Sequence, residues 1–413
     1  MSHEVKTIIK MNLCLQIIVA TLGYGGNIAY VWGPLCVLSL VNLILVFDQA
    51  NEQNPYISAL NVTILLFFVT LCVQFFVPSR IINVPSHPEL QVPYFFSSQN
   101  VKLSIYQWLL PISAMITIPQ VLKTEEDFLW LLRCLIFVVL LQVIVGVVQY
   151  FLSRESLLYQ YFPFFSRKRG ITGTYVTRNL YANILVVGTP LLLGQILHFH
   201  NQKKKLCVVL GILCCLLMFL CLLASKSRTG VFLYLLIVIG IFLYHRHIPT
   251  IALIFAIIVV LFAFQVDIME RFYRSGEDFR YRLEHYSVGL KIIRDHWLFG
   301  CGAGNFSLAF EMYRDVPVVI QYFHQDNDYI EFVAEYGILS SIAGVIFLLV
   351  WGILIAKNTS YDKMLWNSVL VSIIMFFVFA AFHFPLFINS NRLFLAYLMG
   401  TLVAMSNATK EVT

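Results

Sequence analysis

Apolar runs of about 17 to 25 residues follow one another along this chain, and that spacing limits its fold more than any motif, because each run matches a helix crossing a hydrocarbon core about 30 Å thick. Hydrophobic residues make up 59% of the 413 and charged ones only 12%. With a mean hydropathy of +0.80, too little polar sequence is left for a soluble domain. The expected fold is an all-α integral membrane protein, a single polytopic domain over 1–413. Its spans are expected near 11–28, 31–47, 58–78, 103–120, 128–151, 179–199, 206–224, 229–245, 248–267, 330–356, 365–386 and 391–406, twelve in all. The run from Met11 lacks a short apolar core ending in small residues, and further spans follow it, so it reads as a retained helix rather than a cleaved signal.

An even number of spans puts both termini on one side. The short connections on that side carry Lys203, Lys204, Lys205, Arg246, Lys357 and Lys363, the excess expected of the cytoplasm. On this map nine of thirteen lysines are cytoplasmic, whereas thirteen of fifteen arginines face the other way. Arginine's planar fork of donors grips phosphate with two parallel bonds and keeps its charge at any relevant pH. An anionic, phosphate-bearing ligand at the outer face is one reading, and contact with lipid head groups is the other. The net charge of +6 is thus directed at membrane lipids and such a ligand, not at nucleic acid. Two larger outer loops, 152–178 and 268–329, are expected to lay amphipathic helices on the membrane. The stretch Arg280–Arg294 has the mixed composition of one. Eight of the nine cysteines fall inside spans and only Cys301 in a loop, a pattern without a disulfide framework or zinc spacing.

The second outer loop concentrates the chemistry. Gly300-Cys301-Gly302-Ala303-Gly304-Asn305-Phe306 has the look of a phosphate-cradling glycine loop, but no βαβ unit surrounds it. Its glycines are expected to permit a sharp turn or a close approach. His324, Asp326, Asn327, Asp328, Glu331 and Glu335 crowd within twelve positions. An imidazole two residues from a carboxylate suits a general base and its orienter. A hard divalent ion, or a helix start enriched in acidic residues, would also explain the cluster. Upstream, Arg169 opens Arg-Gly-Ile-Thr-Gly-Thr-Tyr-Val-Thr-Arg178-Asn179, either an oxyanion turn or a plain loop capped by Thr177 or Asn179. Ser225-Lys226-Ser227-Arg228-Thr229-Gly230 joins two spans so tightly that Arg228 must sit at the outer mouth of the bundle.

Taken together, these pieces resemble the O-antigen ligase and polymerase family over roughly 165–345. They are Arg282-x-x-x-Tyr286-x-x-Gly289-Leu290, Trp297-Leu298-Phe299-Gly300-x-Gly302-x-Gly304-Asn305-Phe306, Asp326-Asn327-Asp328-Tyr329, Glu335-x-Gly337, Arg169 with its loop, and the Ser-x-Ser-Arg-Thr-Gly hairpin. The resemblance implies a GT-C-like membrane glycosyltransferase of the bacterial inner membrane, active at the periplasmic face without metal or other cofactor. It would move a glycan from undecaprenyl pyrophosphate to a saccharide hydroxyl, on lipid A-core or on a growing glycan. Arg228 and Arg282, with Arg169, would hold the donor pyrophosphate, supported by Asn327, Gly302, Gly304, Asn305 and Arg178. The family's ligase motif has His-Asn, nine residues, then Gly-x-x-Gly. Here Asn327 and Gly337 fit, while Asp326 replaces the His and Ser340 the last Gly. The base is therefore His324 or Asp326. A lipid-linked glycan transporter is the alternative of another class, but such proteins place ionisable groups near the bilayer midplane, where these spans hold almost none.

Overall fold

The computed structural model describes residues 2–23, 29–48, 55–74, 81–84, 87–93, 97–152, 170–244, 282–314, 324–356 and 363–407. The helices are α1 (His3–Leu22), α2 (Ala29–Asp48), α3 (Pro55–Val73), α4 (Ser98–Val121), α5 (Glu125–Phe151), α6 (Arg178–Asn201), α7 (Lys205–Ser225) and α8 (Arg228–Tyr244). There follow α9 (282–295), α10 (Phe306–Tyr313), α11 (Asp328–Ala356), α12 (Lys363–Ala380), a short 3-10 turn (Pro385–Phe387) and α13 (Asn389–Asn407).

Eleven of the twelve expected spans coincide with helices, and the ninth, 248–267, lies outside the described residues. Eight helices are long and apolar enough to cross a membrane. Ser58–Val73 and Arg228–Ile241 are shorter apolar stretches. The stretch expected to form a surface helix is helical over 282–295, as α9. A two-stranded antiparallel hairpin, β1 (Ile81–Val84) and β2 (His87–Pro93), was not anticipated and precedes α4.

The ends of some elements differ from expectation for identifiable reasons. Ser2 caps α1 through the Val5 amide, and Lys6 and Lys10 lie 2.6 and 3.1 Å from Asp127 of α5. The helix therefore begins well before Met11. Asp127 also closes a capping box with Thr124 at the start of α5, so one carboxylate ties two helix starts together. At the other boundary α12 stops at Ala380, not at 386, because the chain turns through His383 into Pro385.

Two helices form the centre. In α6, 89% of the membrane-length window is buried, and α13 is buried from Asn389 to Ser406. A helix covered on all sides needs apolar or internally bonded side chains all round. α6 packs on α12, α7, α8 and α5, while α13 packs on α4, α12 and α11. Because lipid tails are as apolar as leucine, such helices associate through close packing. At Gly194 an added Cβ would stand 2.7 Å from Ser368.

One break positions the site. Within α11, Gly337 has φ 71°, in the left-handed region, and a Cβ there would collide with the Leu298 carbonyl. The amides freed by the break donate to the carbonyls of Trp297 (from Ile338, 2.8 Å) and Leu298 (from Leu339, 3.4 Å). Irregular backbone at membrane depth is tolerated only when its polar groups are paired in this way. The kink thereby fastens the glycine loop to α11.

Candidate active site

The acidic run from His324 to Glu335 is split in two by the helix. Asp328, Glu331 and Glu335 are spaced to share one face of α11, and all three are buried. Each grips a different segment. Asp328 Oδ2 accepts from the Leu386 amide at 2.8 Å. Glu331 Oε2 accepts from the Gln325 amide, and its Oε1 faces His324 Nδ1, both at 2.7 Å. Glu335 accepts from the amides of Gly304 at 2.8 Å and Phe306 at 2.9 Å. A hydrogen bond that satisfies a buried donor contributes about 0.5–1.5 kcal/mol and avoids a larger desolvation cost, so this stripe holds three segments on one helix.

The glycine loop is accordingly full. The Cys301 and Gly302 amides donate to the Ala334 and Glu335 carbonyls, and Gln74 at the end of α3 donates to Phe299 and Glu335 and accepts from Ala303. Asn305 Nδ2 donates to the Ser97 carbonyl, and its Oδ1 accepts from Asn100, both at 3.1 Å. Gly302, Gly304 and Asn305 thus lie in a loop whose bonds are made within the protein. The Gly-Thr loop after Arg169 is similar. Its Thr172 and Gly173 amides donate to Gln149 at 2.8 and 3.0 Å, and Thr177 caps α6. Arg169 itself lies outside the described residues.

The mouth gathers what remains. Asp326 has Arg282 Nε at 3.8 Å and His383 Nδ1 at 3.9 Å, and its backbone carbonyl accepts from the Tyr286 hydroxyl at 3.3 Å. Arg282 and Tyr286 project from α9 one turn apart, as their i, i+4 spacing requires. Asn327 instead caps α11, accepting from Tyr329 and Ile330 at 3.0 and 3.1 Å and donating to Ala381 at 3.0 Å. Arg228 opens α8 as an exposed residue between Ser227 and Thr229, and Arg178 opens α6 half-buried beside Asn179. The structure therefore places Arg282 against Asp326. Arg228 and Arg178 stand on helix starts that hold His383, and His324 is set apart on Glu331.

Electrostatics separates the two candidate bases. Burial would raise the Asp326 carboxyl, but His383, the Arg282 charge and His285 outweigh it and hold the group below the usual carboxylate range. Burial pushes the His324 imidazole down to about 4, with Glu335 opposing and Arg392 assisting, so the ring is neutral at neutral pH. Its Nδ1 is the nitrogen turned to Glu331. The ring stacks on Phe384 at 4.8 Å.

Two buried groups escaped the sequence. His383 reads as part of an apolar span, and Arg392 as one of many outer arginines. Arg392 lies 4.4 Å over the Trp108 ring and donates to Asn389 Oδ1 at 3.0 Å. The only signal for either was a basic residue at the edge of an apolar run. Among the described residues no three His, Cys, Asp or Glu side chains converge in a way that could hold a metal ion.

The molecule is thus a multi-pass helical membrane protein with one polar mouth, where a cation and a carboxylate face each other. Residues 213–342 match the model of the O-antigen ligase family, whose members are glycosyltransferase-like ligases and polymerases. The match takes in Arg228, Arg282, His324 and Asp326, and ends before His383. No curated protein matches the chain.

Proposed function

We propose that the protein is an O-antigen ligase-like glycosyltransferase of the bacterial inner membrane, with both termini in the cytoplasm and its mouth facing the periplasm. It transfers a glycan from undecaprenyl pyrophosphate to a saccharide hydroxyl on lipid A-core, and needs neither a metal ion nor a nucleotide sugar. The observation that carries this is the placement of Arg282 3.8 Å from Asp326, beside the helix start that bears Arg228.

In this mechanism Asp326 takes the proton of the acceptor hydroxyl, whose oxygen attacks the anomeric carbon. The bond from that carbon to the pyrophosphate oxygen breaks with inversion, and the diphosphate leaves carrying both electrons. Arg282, Arg228 and Arg169 meet the charge as it develops. Removing one preorganised donor from such a site costs about 100- to 1000-fold in rate. His324, oriented by Glu331, is the second base the geometry offers. Polymerisation of the glycan is the second reading of the reaction, favoured by Asp326 and Ser340 standing where the ligase motif has His and Gly.

The test is the surface glycolipid profile of a deletion strain, complemented by wild type, Arg228→Ala or Arg282→Ala. Both variants should stay in the membrane and lose transfer by at least ~100-fold. Near wild-type transfer by either removes that arginine from the mechanism. In the deletion strain, loss of all long glycan from lipid A-core with polymer still on its carrier means ligase. A single repeat on the core means polymerase.

A further inference from the structure

The turn between α12 and α13 carries a side chain that this chemistry does not yet use. His383 is 2% exposed and is held on several sides. Its Nδ1 lies 3.2 Å from Asn179 Nδ2 on α6, and its Nε2 lies 3.3 Å from Thr229 Oγ1 on α8. Phe379 of α12 packs on the ring at 5.0 Å. The Asn179 amide also meets the Ser227 hydroxyl at 3.0 Å. Because a hydroxyl both donates and accepts, the amide can turn its oxygen to the ring, and the tautomer protonated at Nδ1 then donates toward Asn179 and Asp326 while Nε2 accepts from the Thr229 hydroxyl. Asp326 Oδ1 stands 3.9 Å from that same Nδ1.

The arrangement gives the Ser-x-Ser-Arg-Thr-Gly hairpin a specific job. Ser227 and Thr229, on either side of Arg228, both feed this one imidazole, Thr229 directly and Ser227 through Asn179. The ring in turn backs the Asp326 carboxylate, whose other oxygen faces Arg282. We propose that His383 is a positioning residue, fixing Asp326 in register with the hairpin that presents Arg228, so that base and leaving-group arginine act on one substrate. This rests on the assignment of Asp326 as the base. Buried as it is, His383 touches no substrate and acts through the carboxylate.

A purely structural histidine and a positioning one differ in their effect on titration. The charged or titratable groups around Asp326 are Arg282, His285 and Tyr286 from α9, Glu331 from α11 and His383 from the turn, with Arg178 of α6 next to His383. Loss of His383 leaves Arg282 and His285 in place but removes the group that becomes cationic beside Oδ1 as pH falls. The Asp326 pKa then rises, a smaller fraction is ionised at any acid pH, and the acid limb of the rate profile moves to higher pH.

The experiment measures glycan transfer against pH by purified protein, with donor and acceptor extracted from the deletion strain. It compares wild type, His383→Phe, His383→Gln and Asp326→Asn. The expected result for His383→Phe is a fall in kcat of about tenfold with donor KM unchanged, and an acid limb shifted upward by about half a pH unit or more. His383→Gln, whose amide still reaches Asn179 and Thr229, should recover most of kcat and separates the role from any folding failure of the Phe variant. An unshifted limb in both variants, whatever the rate, overturns the proposal. Activity in Asp326→Asn removes the base assignment and this inference together. A dead Asp326→Asn beside a wild-type His383→Phe overturns the inference alone.

Discussion

Two glycine loops, Gly170–Thr174 and Gly300–Phe306, both resemble cradles for an oxyanion in sequence. Each is filled from inside by buried side chains of one neighbouring helix, but with different chemistry. The first is held by neutral amides. Gln149 Oε1 accepts from Thr172 and Gly173, and Gln142 accepts from the Thr174 amide at 3.2 Å while donating to its hydroxyl at 2.9 Å. The second is held by the Glu335 carboxyl, whose two oxygens accept from the Gly304 and Phe306 amides at the start of α10. A glutamine can serve donors and acceptors in one loop, whereas a carboxylate serves donors alone and is costly when left unpaired in a buried site. The protein has thus filled both loops with its own side chains. In the proposed function, anion recognition falls to the arginines.

That contrast is broken most forcefully at Glu335. Replacement by alanine strips two amides of their acceptor and, if the carboxyl is ionised in the site, should destabilise the fold by about 3–6 kcal/mol, from ~1.5–3 kcal/mol per bond. The measurement is the yield of folded, monodisperse protein in detergent and its melting temperature, with Glu335→Gln, which keeps one acceptor oxygen, falling between. A melting temperature for Glu335→Ala within a degree of wild type would show that the carboxylate does not hold the loop.

Gln149→Leu tests the neutral loop and should cost less. It preserves volume but leaves the Thr172 and Gly173 amides unpaired, a loss of about 2–6 kcal/mol from ~1–3 kcal/mol per buried amide. If Glu335 binds its loop as an anion, the same melting assay should rank Gln149→Leu above Glu335→Ala, since charge-assisted bonds are lost in one variant and neutral bonds in the other. If the two variants are equally unstable, the charged and neutral loops are energetically alike and the distinction fails.

The same contrast explains what could be read from the chain. Run length alone located the helices, since each span must satisfy its backbone within itself. Element ends were less legible because they depend on distant partners, as Lys6 and Lys10 depend on Asp127. Within the site, Asp326 and Arg282 were visible as types in a pattern. The sequence could not say that Asp328, Glu331 and Glu335 turn inward, because Glu335 finds its amides 29 and 31 residues away. His383 was hidden more deeply. Its partners Asn179 and Thr229 are 204 and 154 residues distant, and an imidazole at the end of an apolar run has no local mark.

Helix capping gives the finest comparison of the two loops. The first ends in a local cap, since Thr177 accepts from the Leu180 amide of its own helix at 3.4 Å. The second has no such bond, because Asn305 spends its side chain on Ser97 and Asn100 and leaves the Phe306 amide to Glu335. Thr177→Ala should therefore cost about 1 kcal/mol, the usual worth of an N-cap, and leave transfer intact. Asn305→Ala should spare the start of α10 and loosen its contact with α4 instead. Combined with Gln149→Leu, Thr177→Ala should depart from additivity because both act on one loop. A double-mutant cycle on melting free energies reads this directly, and strict additivity would mean that Gln149 and Thr177 hold independent pieces of chain.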